Sequence, residues 1–251
     1  MSKFYTSITL YVTSLLIGYY YCYSQSIEIF VLVAFSLTLL YLLFLFAMSM
    51  FIRQNFYLKS ISQNEIGKVV LTFDDGPHPD HTLKILDILD AYQIKAVFFM
   101  IGKNVEENPG IAKEVASRGH QVGIHSHSHS LNFGVLGSKK LKEELVVCAN
   151  MIETATGIIP HLFRPPFGVT NPTIARQVNL QKLVSVGWSV RSFDTTTHSI
   201  EKIVKGVRKQ MAENSIILLH DRLDQTVRAL PHIIDSIRGK GFDIGELSIS
   251  G

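Results

Sequence analysis

Apolar positions run along this chain in two rhythms that change near residue 53. From Ile29 to Ile52 they continue for 24 residues without a charge. That is long enough to cross a bilayer, and a buried core helix apolar on every side would be unusual at this length. Phe4–Tyr23 is a second, weaker apolar run, diluted by Thr6, Ser7, Thr9, Thr13 and Ser14 and closed by the aromatic cluster Tyr19, Tyr20, Tyr21 and Tyr23. Such clusters mark membrane interfaces. The pattern predicts two transmembrane helices, about 4–23 and 29–52, turning at Ser24–Glu28, so that residues 1–52 form a membrane anchor. A signal peptide is the alternative for the first run, because Lys3 supplies a positive start, but no small-residue cleavage site follows. Residues 53–66 are polar and read as a linker to a soluble domain over 67–251.

Within that domain, short apolar runs alternate with helical periodicities. Strands are expected at Val69–Phe73, Lys95–Ile101, Gln121–His125, His161–Phe163, Leu183–Val190, Ile216–Leu219 and Phe242–Leu247. Between them, apolar residues recur at helical spacing over Thr82–Tyr92, Pro109–Ser117, Ser138–Thr156, Asn171–Val178, Ser199–Ala212 and Thr226–Arg238. Near-continuous apolar strands alternating with helices predict a parallel sheet covered by helices. The fold class is therefore α/β, with about seven parallel strands. The domain is short for a full eight-fold barrel, so a distorted or incomplete (β/α) barrel is expected; an open doubly wound sheet is the alternative. Either fold places chemistry at the carboxyl ends of the strands.

Charge sharpens the division. Before residue 53 only Lys3 and Glu28 are charged, so the soluble part carries the net charge of +3. Its charges are interspersed, and no basic stripe points to nucleic acid. Lys3 before the apolar pair, and Arg53 and Lys59 after it, place both ends of a hairpin on the cytoplasmic side by the positive-inside rule. Of two cysteines, Cys22 lies in the first apolar run, so no disulfide can form within the soluble domain.

Four strand ends carry candidate chemistry. Asp74 and Asp75 close the first strand before Gly76-Pro77. Adjacent carboxylates allow one to bind a cation while the other serves as base, although an Asp-Gly-Pro turn with solvated aspartates has the same sequence. His125–Ser130 reads H-S-H-S-H-S; His125 and His129 with a neighbouring carboxylate would supply the two nitrogens and one oxygen of a catalytic zinc-type site, with His127 an alternative ligand. In R-P-P-F-G at Arg164–Gly168, two prolines stiffen the loop and Arg164 is placed to pair with a carboxylate. His220, ending I-I-L-L-H-D, is a candidate general acid.

T-F-D-D-G at Thr72–Gly76, H-S-x-x-H at His125–His129, R-P-P-F-G and L-L-H-D, with K-A-V-F-F-M-I-G at Lys95–Gly102 and G-H-Q-V-G at Gly119–Gly123, resemble the ordered motifs of the polysaccharide deacetylase family. That family is also called the NodB-homology domain or carbohydrate esterase family 4. The resemblance covers residues 67–251 and implies metal-dependent removal of N-acetyl groups from amino sugars of a polysaccharide, oligosaccharide or cell-wall glycan. It implies Asp74 as catalytic base, Asp75, His125 and His129 as metal ligands, and Arg164 as the residue holding the base. Phe167 stands at a tyrosine position whose backbone amide helps form an oxyanion hole, and His220 matches the general acid. The metal is expected to be zinc, with cobalt, nickel or iron also compatible with an N/O ligand set. At Trp188–Thr195 the chain departs from the family: Arg191 stands where an aspartate is usual and Thr195 where a tryptophan is usual, while Asp194 matches the second acidic position. An arginine beside His220 would depress the imidazole's pKa. The expected setting is a bacterial inner (cytoplasmic) membrane, multi-pass, with the charge bias favouring a cytoplasmic catalytic domain and the family's habit an external one. A deacylase of a lipid-linked amino sugar at the inner leaflet, and an inactive membrane-anchored carbohydrate-binding homologue, are the alternatives.

Overall fold

The computed structural model describes residues 2–23, 26–65 and 67–249. Ser24 and Gln25 of the expected turn, and Ile66 of the expected linker, lie outside the described residues. Helix α1 (Ser2–Tyr23) and helix α2 (Ile27–Ser49) lie antiparallel. Tyr11 stacks on Tyr41 with ring centroids 4.3 Å apart, and its hydroxyl meets Thr38 Oγ1 at 2.7 Å. Four of the hydroxyls that dilute α1 are satisfied: Ser7 shares a hydrogen bond with Tyr41, while Thr6, Thr9 and Ser14 donate to carbonyls one turn back. Among the described helices only α2 is long and apolar enough to cross a membrane. It ends three residues earlier than its apolar run because Ile52 turns into a short 3-10 segment (Ile52–Gln54) and is buried against the soluble part.

The stretch expected as a linker is packed between the helical hairpin and that domain. Phe56, Tyr57 and Leu58 are buried, and Ser60–Ile61 forms strand β1. Local polarity concealed this, since the burying partners lie on other elements: the Tyr57 hydroxyl donates to Leu45 O of α2, and Ser60 Oγ meets Ser185 Oγ at 2.8 Å.

Seven further strands follow: β2 (Val70–Gly76), β3 (Val97–Met100), β4 (Gln121–Ile124), β5 (Leu162–Phe163), β6 (Val184–Val186), β7 (Val190–Arg191) and β8 (Ile216–His220). All pair parallel in the order β1-β6-β5-β4-β3-β2-β8-β7. The run Leu183–Val190, expected as one strand, therefore makes two at distant places in the sheet. Six strand spacings would separate β6 from β7 by roughly 29 Å if the sheet were flat. The link Gly187–Ser189 spans at most about 14 Å. The sheet must curl until its ends approach, which makes an eight-stranded half-open barrel. The expected final strand, Phe242–Leu247, is reduced to a bridge between Val69 and Ile244. From Thr72 onward both edges of β2 are taken by β3 and β8, so no ladder can extend there.

Curling sorts the apolar runs into two faces. Leu71 and Phe73 of β2, with Phe98 and Met100 of β3, face helices α3 (Thr82–Ala91), α4 (Gly102–Glu107), α5 (Pro109–Ser117), α6 (Ser138–Thr156), α7 (Pro172–Leu180), α8 (Ile200–Gln210) and α9 (Asp224–Arg238) in the main core. Val70, Val97, Phe99, Val186 and Ile216 fill the barrel's interior. Alternation then places Thr72 and Asp74 on that interior face, which brings the β2 carboxylates to the barrel mouth.

Candidate active site and metal centre

Among the described residues, eight non-glycine residues have positive φ; three of them, Asp75, His129 and Phe167, line one pocket, and Ser126 and Phe193 lie beside lining residues in sequence. Such backbone is costly and persists where surrounding structure imposes it, often at functional sites. Asp75, at φ 74°, breaks the alternation of β2, so both adjacent carboxylates reach the pocket. Gly76 follows of necessity, because a Cβ there would collide with the buried Asp221 carboxylate.

Asp75 Oδ1 lies 3.5 Å from His125 Nε2 and 3.4 Å from His129 Nε2. Ligand atoms about 2.05 Å from a tetrahedral zinc are roughly 3.3 Å apart, so this spacing fits a metal that would draw the three atoms together. The three donors lie within 4.8 Å of one another and form a group that could hold a metal ion. His125 Nδ1 is 2.8 Å from Arg164 O; donating there leaves Nε2 bare for a ligand bond. Glu144 of α6 shapes the histidine loop by accepting from the backbone amides of His127 and Ser128 and from the Ser128 hydroxyl. His127 lies outside the cluster, with its ring against Gly102 and a buried Nδ1 that has no partner. The alternation of the H-S-H-S-H run hid this distinction, which Glu144 decides from another element.

Arg164 is fully buried in the barrel interior. Its Nη1 donates to Asp74 Oδ1 and to Thr72 Oγ1, both at 2.7 Å, and its Nε and Nη2 donate to the carbonyls of Val186 and Gly187. The guanidinium lies 4.2 Å from the centre of the Phe99 ring. Asp74, held through Oδ1, keeps Oδ2 on the side of the Asp75–His125–His129 cluster, 3.8 Å from His125 Nε2. In the following loop Phe167 stands at φ 60° and packs its ring 4.7 Å from that of His129. Gly168, at φ 70°, allows the loop to lie against the Trp188 ring.

Across the pocket, His220 is paired with Asp74 in the β2–β8 register. Asp194 accepts from His220 Nδ1 and from the His220 backbone amide, both at 2.8 Å, and from Thr226 Oγ1. Burial alone would push the imidazole's pKa down; the Asp194 hydrogen bond and charge, aided by Asp74 and Asp75, raise it above the ordinary histidine value. Burial likewise opposes charge on Asp194, but its bonds from His220 and Thr226 hold its carboxyl below the usual range. The expected depression of His220 by Arg191 is not found. Arg191 is exposed and lies over the Phe193 ring, 5.3 Å from its centre, although β7 does neighbour β8. Asp221 does not replace the missing aspartate either. Its Oδ2 accepts from Thr82, its Oδ1 has no partner, and burial pushes its pKa up to about 7.

Arg222 was not anticipated. Its Nε donates to Asp75 Oδ2 at 2.8 Å, so each oxygen of Asp75 has a separate task, one facing the histidines and one held by the arginine. Its place two residues after His220 was the available signal, but only the register of β8 beside β2 gives it meaning.

A family profile described as "Polysaccharide deacetylase" matches residues 62–185. A "Chitooligosaccharide deacetylase" of Sinorhizobium fredii is 30% identical over 213 residues, 78% of this chain and 98% of that protein. The chain belongs to the polysaccharide deacetylase family. A "Peptidoglycan-N-acetylglucosamine deacetylase" of Bacillus cereus is 33% identical over 178 residues, 69% of this chain and 64% of that protein. The chain thus spans less than two thirds of that longer relative. The solved "Family 4 carbohydrate esterase from Streptomyces lividans in complex with acetate" superposes with a TM-score of 0.68 at 33% identity, covering 73% of this chain and 94% of that one. Family membership agrees with the half-open parallel barrel and with the Asp/His/His cluster at its mouth.

Proposed function

We propose that this chain is a metal-dependent hydrolase that removes N-acetyl groups from amino sugars of a glycan, of the peptidoglycan or chitooligosaccharide type named for its relatives. The observation that carries this reading is the convergence, in one pocket, of the Asp75–His125–His129 cluster, the Arg164-held Asp74 and the Asp194-held His220. A bound divalent ion, zinc being the first choice for this N/O set, would supply Lewis-acid polarisation of the amide carbonyl and of a water. Asp75, His125 and His129 would hold it. Asp74 Oδ2 accepts the proton of the attacking water, with Arg164 fixing the carboxylate so that no rotation is needed. The Phe167 backbone amide donates to the developing oxyanion, a role that survives replacement of the family's tyrosine. His220 Nε2 returns a proton to the departing amine, which is otherwise a very poor leaving group.

The sign of the His220 shift gives a test. An acid must be protonated, so activity falls as pH rises through its pKa, and Asp194 moves that limb upward. Asp194→Asn keeps the shape and removes the charge. It should move the alkaline limb of the pH–rate profile to lower pH and reduce kcat by about 10²-fold. Arg191→Asp should leave the limb nearly in place. An unmoved limb in active Asp194→Asn enzyme would overturn the assignment of His220 as the acid.

The α1–α2 hairpin would anchor the catalytic domain to a membrane, with α2 as the spanning helix and α1 packed beside it. Deleting residues 1–49 should yield protein that stays in solution without detergent and still binds metal. The cut keeps Ile52, which is buried against the domain beside Gly187. An insoluble product without metal would show that the helices complete the domain's core.

A further inference from the structure

Two guanidinium groups line the pocket that holds the metal-ligand cluster, and the mechanism above uses neither on substrate: Arg191 and Arg222. The carboxylates of the pocket are already committed. Asp74 is paired with Arg164, and Asp75 divides its oxygens between the histidines and Arg222 Nε. Arg222 is about half exposed and, among the described residues, makes no hydrogen bond from its terminal nitrogens. Arg191 makes no ion pair among the described residues, yet its position is built. Gln210 of α8 clamps its backbone on both sides, accepting from the amide and donating to the carbonyl at 3.0 Å, and its guanidinium lies on the Phe193 ring. With a divalent ion in place, Asp74 and Asp75 would be the only carboxylates among the described lining residues, so the ion, Arg191 and Arg222 would leave that lining net positive. The pocket, at about 230 Å³, is smaller than cavities that enclose drug-sized ligands and suits one sugar ring with its substituents.

We infer that Arg191 and Arg222 together bind an anionic group, a carboxylate or a phosphate, carried by the glycan at or next to the sugar that loses its acyl group. The substrate is then an acidic amino-sugar glycan, and a neutral oligomer is the poorer one. Planar guanidinium groups suit this task because each can offer two parallel donors to one oxyanion. The inference rests on the deacetylase reading for the location of the substrate, but its test separates the two.

Trp188 is the sole tryptophan and lines this pocket, so its fluorescence reports ligand binding without turnover. Full-length protein in neutral detergent, loaded with zinc, is titrated with three ligands: chitotetraose, an N-acetylglucosamine–N-acetylmuramic acid oligomer with its lactyl carboxylate free, and N-acetylglucosamine 1-phosphate with a methyl ester on the phosphate. Acetate release from each is measured in parallel. At least one anionic ligand should bind about tenfold tighter than the neutral one, equivalent to about 1.4 kcal/mol, and the advantage should shrink with added salt. Arg191→Gln should remove most of the advantage and Arg191→Lys should restore part of it. Whichever anion gains more identifies the source, a carboxylate-bearing wall glycan or a phosphate-linked sugar. Equal binding of all three, with the ratio unchanged in Arg191→Gln, overturns this inference; release of acetate in that case leaves the deacetylase reading standing. Preferential binding of an anion with no acetate released from any ligand does the reverse.

Discussion

His129→Ala should lose both bound metal and deacetylase activity. On the proposed reading His129 would supply one of the three donors found among the described residues, and a bound ion would contribute several kcal/mol of charge stabilisation, so activity should fall on the order of 10³-fold or more. Asp75→Ala and His125→Ala should behave alike. His127→Ala is the internal control: its ring sits against Gly102 outside the cluster, so metal content and most activity should persist. Metal analysis of purified full-length variants decides the matter. Stoichiometric metal in His129→Ala, or loss of metal in His127→Ala, would show that the ligand set is wrong.

Asp74→Asn should separate base from ligand. The substitution keeps an oxygen for Arg164 and removes the proton acceptor, so kcat should drop about 10²–10⁴-fold while metal stays bound. A cost in stability is expected as well. Arg164 is wholly buried, and leaving a buried charge without its counter-ion costs up to about 3–5 kcal/mol; the retained hydrogen bonds to Thr72, Val186 and Gly187 reduce that. Thermal unfolding measured beside activity distinguishes the effects. Protein that is folded, metal-loaded and fully active would remove Asp74 from the chemistry.

The structure also changes how the departure at Arg191 is understood. On sequence alone its interest lay in what it would do to His220. In the folded chain Asp194 reaches His220 by two hydrogen bonds, whereas Arg191 is turned onto Phe193 at the pocket's rim. Its effect is therefore expected on what the pocket admits, with the protonation of His220 governed by Asp194.

The order of strands and helices, the parallel sheet and the strand-end carboxylate, histidine and arginine motifs were legible in the sequence, because apolar periodicity and turn chemistry are local properties. Val70–Gly76 shows this: an apolar run that stops at two aspartates marks the end of a strand, because unpaired carboxylates are costly within a strand core. Three features were decided only by tertiary structure. Residues 53–66 look like a linker, yet their strand β1 and buried aromatics depend on partners more than a hundred residues away or in the helical hairpin. The run Leu183–Val190 looks like one strand, and only closure of the sheet makes it two, since a curled sheet brings distant edges within the reach of three residues. The ion pair of Arg222 with Asp75 and the exclusion of His127 depend on the register of β8 beside β2 and on Glu144 reaching from α6. Spacing along the chain names the donors; which of them meet, and which oxygen of a shared carboxylate each one takes, is set by the lateral pairing of elements that the sequence does not order.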